Sequence, residues 1–151
     1  MRYKTVKDVV EQSRKLHHEI RDFYHKLAEQ TAQARVKMLL EYLERHETQL
    51  EDMLKKFESD KSQKIWDEWY QYVPEQKLSD LLEDVSVGAD MGVDEVVLLA
   101  LKLDDYFIEL YKDMVQNAAS SDVKAVFENL VQLEEKEKIR TVRTALEMND
   151  F

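Results

Sequence analysis

The chain has 151 residues and a net charge of −10, with 36% charged and 44% hydrophobic residues. That size supports one domain with a real core. The acidity excludes nucleic acid and anionic membrane surfaces as partners, since both recruit clustered Lys and Arg, and the absence of cysteine excludes disulfides, thiolate metal ligands and a cysteine-ligated iron centre.

Two glycines and one proline leave long helices uninterrupted, so the expected fold class is all-α. No apolar run reaches the roughly 18 residues that span a bilayer. The N-terminal MRYKTVKDVVEQ has no apolar signal-peptide core, which makes the cytoplasm the expected location.

Apolar residues at the 3.6-residue period predict four helices. The first covers about 3–30, with Val6, Val9, Val10, Ser13, Leu16, Ile20, Phe23, Tyr24 and Leu27 inward. The second covers about 34–58, with Val36, Met38, Leu39, Leu40, Leu43, Leu50, Met53, Leu54 and Phe57 inward. The third runs over 93–118, from Val93 through Leu98, Leu101, Phe107, Leu110 and Tyr111 to Met114. The fourth starts after Ser120-Ser121-Asp122, an N-cap cluster, and runs to about 147, with Val123, Phe127, Leu130 and Ile139 on its apolar stripe.

Residues 59–92 are too long for a hairpin loop and predict a crossover along the bundle, within one domain spanning 1–151. The crossover holds Trp66, Trp69, Tyr70, Tyr72, Val73-Pro74 and a short helix expected at 78–86. Its aromatic residues are read as a lid on the bundle, with a partner-binding patch as the alternative.

Laid on itself with an offset of 87, the chain matches Tyr24 to Tyr111, Val36 to Val123, Leu43 to Leu130 and Glu47 to Glu134. The register points to two duplicated helical hairpins. Each helix also sets an ionisable group on its inward stripe: His17, Glu47, Asp104, and Glu134 with Glu137. His17 and Glu47 are equidistant from residue 32, and Asp104 and Glu134 from residue 119. Each group should therefore lie about 22 Å from its hairpin turn, at 1.5 Å per residue. If the two hairpins pack with pseudo-twofold symmetry, all four meet in the core. Converging buried carboxylates need neutralisation, by a divalent cation or by pairing among themselves with His17 protonated against Asp104 or a glutamate, unless they lie at a wet, frayed part of the bundle.

These positions resemble the ferritin-like superfamily, specifically its rubrerythrin-type branch of di-metal four-helix bundles. That pattern has a glutamate seven residues before a tyrosine, then Glu-x-x-His on the next helix, and repeats the set. The tyrosines stand in "DFYHKLAEQ" and "IELYKDM", and the second-helix landmarks are "LERHETQL" and "LVQLEEKE".

Carried over, the resemblance puts His17 and Asp104 at the first and third glutamate positions. It keeps Glu47 and Glu134, and replaces the two histidines with Leu50 and Glu137. It implies a metal site of His17, Glu47, Asp104, Glu134 and Glu137, with Tyr24 and Tyr111 beside it. The implied metal is iron first, with manganese or zinc as alternatives.

The resemblance further implies a homodimer, and iron-dependent oxygen or peroxide chemistry fed by a separate electron-donor protein. The other reading is a metal-free, degenerate bundle acting as a structural or interaction module. His18, Asp22 and His25 are expected on a solvated face, and His46 at the bundle edge.

Overall fold

The computed structural model describes residues 3–60, 63–71 and 76–149. Tyr72, Val73 and Pro74 of the crossover lie outside the described residues. In chain order the elements are β1 (Tyr3–Thr5), α1 (Val6–Gln30), α2 (Ala34–Asp60), α3 (Gln63–Trp66), β2 (Trp69–Gln71), α4 (Leu78–Leu81), α5 (Val93–Gln116) and α6 (Ser121–Asn149). Helices α1 and α2 pack as one hairpin and α5 and α6 as another. The fold is all-α apart from one small ribbon. Among the described residues, no helix is long and apolar enough to cross a membrane.

The first helix starts later than its periodicity suggests, because Thr5 stops it. The Thr5 hydroxyl accepts from the Asp8 amide at 3.1 Å, and the Asp8 carboxylate accepts from the Thr5 amide at 3.1 Å. This reciprocal cap satisfies two otherwise orphaned donors. Residues 3–5, expected to be helical, instead pair antiparallel with 69–71. At the start of α6, Ser120 accepts from the Val123 amide at 3.2 Å, as the N-cap cluster implies.

Segment 66–70 clasps one end of the bundle. Glu68 accepts from the Val6 amide through its carbonyl at 2.9 Å and from the Ser120 hydroxyl through its carboxylate at 3.0 Å. The Tyr70 hydroxyl donates to the Met114 carbonyl at 3.2 Å, at the end of α5. At the opposite end, the Gln33 amide in the first turn reaches the Met91 carbonyl just before α5. Helices α2 and α5 therefore finish at the same end, and the intervening chain returns along the bundle. The crossover is real.

The aromatic lid is only partly apolar cover. Trp66 and Tyr70 are buried, edge-on to Phe57 and Phe127 respectively, whereas Trp69 is 60% exposed. The short helix ends at Leu81 rather than 86, since the Val-rich, glycine-terminated stretch 85–88 is a poor helix former. Met38, Met53, Leu98 and Ile139, expected inward, face solvent. Their helices carry apolar arcs wider than the core stripe they fill, and single exposed apolar residues are common.

Candidate functional site

Helical spacing brings four of the five expected residues to one level of the core. His17 on α1, Glu47 on α2, Asp104 on α5 and Glu134 on α6 are each no more than 3% exposed. His17 is the hub. Its Nδ1 is hydrogen-bonded to Glu47 Oε2, and its Nε2 lies 2.9 Å from Glu134 Oε1. An ionised carboxylate only accepts, so both ring nitrogens carry hydrogen when both glutamates are charged. That species is an imidazolium, and the Phe107 ring stacks on it at 3.8 Å and 10°.

The electrostatics agree with the geometry. Burial alone would depress the His17 pKa, but the charges and hydrogen bonds of Glu47 and Glu134 lift it to about 10. Burial raises Glu134 despite the opposing pull of His17. Asp104 is pushed well above the usual carboxylate range, first by burial and then by the Glu47 and Glu134 charges. It favours the neutral acid. Tyr24 and Tyr111 stand beside the cluster, and burial followed by the neighbouring carboxylates keeps both phenols protonated. Glu134 Oε2 and Asp104 Oδ2 are buried without a hydrogen-bond partner among the described residues, and the Ser13 hydroxyl lies beside that of Tyr111.

The fifth expected residue lies elsewhere. Glu137 Oε2 pairs with His46 Nδ1 at 2.9 Å and its Oε1 accepts from Arg140 at 3.1 Å. The His46 hydrogen bond is the main reason the Glu137 pKa is lowered. His46 is not at the bundle edge: it is 4% exposed. A hydrophilic residue next to a core position reads as peripheral in sequence, yet α6 supplies a buried acid to receive it. Leu50 is a buried apolar core residue. His18 and His25 do face solvent, His18 against Glu51 and His25 against Glu44 and Glu29.

No protein-family model matches the chain, and no curated protein does. A solved structure does. The crystal structure of a ferritin-like diiron-carboxylate protein from Thermotoga maritima aligns over 97% of this chain and 98% of that one, with a TM-score of 0.63 and 18% identity. The fold is ferritin-like. At that identity the similarity speaks for architecture alone.

Whether the residues suit metal can be asked of their own geometry. Among the described residues, no three His, Asp or Glu side chains stand where they could hold an ion. The two glutamates are separated by the imidazole that bonds to both. Leu50 has no donor atom, and Glu137 is committed to His46 and Arg140. As folded, the donor set does not fit a di-metal centre.

Proposed function

We propose that this chain is a ferritin-like bundle whose carboxylate centre is closed by its own cation, and that it serves as a metal-independent, self-associating module. The observation that carries this reading is His17, held by both nitrogens between Glu47 and Glu134. It supplies the positive charge that buried carboxylates require. A metal using the His17 nitrogen must displace a proton held with a pKa of about 10. That competition weakens metal binding at neutral pH, because ligands must give up their protons to bind.

A second reading is favoured by Glu134 Oε2 and Asp104 Oδ2, which have no hydrogen-bond partner among the described residues. In it, one divalent cation, iron first and manganese or zinc otherwise, binds His17, Glu47, Glu134 and Asp104 in exchange for protons. Bound iron would supply redox chemistry, with electrons from a separate donor protein.

Elemental analysis of protein purified without chelator, followed by ferrous, manganese and zinc titration at neutral pH, separates the two. The closed centre predicts substoichiometric metal and no rise in melting temperature on metal addition. Under the closed-centre reading, His17→Glu opens the site and should gain a metal-dependent rise, since only the folded state binds. One tightly held ion per wild-type chain, lost in Glu47→Ala and Glu134→Ala, would overturn the first reading in favour of the second.

For self-association the proposed face lies between α5 and α6. Ile139 and Leu146 are 58% and 61% exposed there, beside Val142 and the buried Ile108. The charged rim is balanced: Asp105 pairs with Lys138, Lys112 with Glu135, and Glu109 and Arg143 add one charge of each sign. Two copies of a chain with net charge −10 repel each other, and a neutral face is where they approach at least cost. A twofold contact also suits a face that offers both signs to itself. Light scattering should find a dimer that Leu146→Glu converts to monomer without loss of helicity; a monomeric wild type at high concentration would remove this part of the proposal.

A further inference from the structure

The pair that Glu137 makes outside the centre builds a second site. Tyr42, Arg45, His46 and Gln49 share one face of α2, and Glu137 and Arg140 face them from α6. Together they wall a cavity of about 230 Å³. His46 is more than nine-tenths buried in this wall, and its Nε2 has no hydrogen-bond partner among the described residues. Because Nδ1 is turned to the Glu137 carboxylate, Nε2 is the ring nitrogen without a protein partner among the described residues.

The chemistry of the wall selects the ligand class. Arg45, the remaining guanidinium hydrogens of Arg140, the Gln49 amide and the Tyr42 hydroxyl are all donors. The one acid, Glu137, has both oxygens engaged, by His46 and by Arg140. Two arginines beside one already paired carboxylate favour an anion over a cation, and planar guanidinium groups match phosphate oxygens two at a time.

The His46 nitrogen narrows the choice further. It accepts a hydrogen bond when the ring is neutral and donates one when the ring is charged. A partly protonated phosphate offers both a P–OH donor and P–O acceptors, and so satisfies Nε2 in either state. We infer that the cavity between α2 and α6 is a phosphate-type oxyanion site, with Arg45, Arg140 and Gln49 as donors and His46 as its buried floor.

The test uses the full chain and inorganic phosphate, titrated at constant ionic strength against chloride and followed by the NMR signals of the His46 ring and the Gln49 amide. Saturable shifts at millimolar phosphate are expected, with at least a tenfold loss of affinity in Arg45→Ala. Arg45 is exposed, so its removal should leave the fold intact. Lys56→Ala, which removes an exposed cation outside the cavity wall, controls for net charge. Parallel titration with glycerol phosphate identifies the source: tighter binding than phosphate points to a phosphoryl group on a larger molecule, and weaker binding to the free ion. Equal shifts with chloride, no saturation with either phosphate, or an Arg45→Ala effect no larger than that of Lys56→Ala would overturn the assignment.

Discussion

His17→Ala is expected to lower folding stability by about 3–5 kcal/mol, the usual cost of stripping one partner from a buried ion pair. The substitution removes the group that holds Glu47 and Glu134 apart, and with it the ring stacked on Phe107. Two carboxylates then share a dry space, and one of them must take up a proton. The contrasting variant replaces His17, Glu47 and Glu134 together with apolar residues of similar volume. It should be neutral or stabilising, because nothing charged remains to be desolvated. Urea denaturation of both proteins checks the pair. A His17→Ala loss below about 1 kcal/mol, the scale of an ordinary hydrogen bond, would show that the centre is wetter and weaker than its burial implies.

The second large effect is a loss of stability in alkali. His17 has a pKa of about 10 in the folded protein and an ordinary value of 6.5 when unfolded. A raised imidazole pKa stabilises fully below 6.5, and that contribution disappears as pH climbs from 6.5 to about 10. Glu134 and Asp104 act in the same direction. Each keeps its proton longer in the folded chain than in the unfolded one, so each also loses stabilisation as pH rises above its ordinary range.

At about 1.4 kcal/mol per pKa unit, His17 alone contributes on the order of several kcal/mol. That is a large part of the roughly 5–15 kcal/mol that holds a domain together. Denaturation midpoints should therefore fall steadily from neutral pH to about pH 10, and His17→Gln should flatten most of the slope. A flat wild-type profile over that range would contradict the ion-paired centre.

Much of this architecture is legible in the sequence because it rests on long-period regularities. The inward stripes place His17, Glu47, Asp104 and Glu134 at one level, and the structure brings those four residues together. Periodicity gives height and face but not who bonds to whom. The same four positions suit a cation held among them or an imidazolium lying between two of them, and the bonds of His17 to both glutamates separate the cases. His46 escapes the stripe because its burial depends on Glu137 from another helix. The β1–β2 ribbon is equally invisible, since three-residue strands carry too little pattern to outweigh the helix beside them.

The bond between His17 and Glu134 joins the two hairpins, whereas most of the packing lies within each hairpin. Apolar ridges on paired helices tolerate sliding, because Leu against Val differs little from Leu against Ile. A slide by one turn, about 5.4 Å, would instead set the imidazolium opposite apolar side chains and leave Glu134 unpaired in the core. The buried triad thus works as a vernier: besides the stability that its ion pairs carry, it fixes the single position at which the two halves lock.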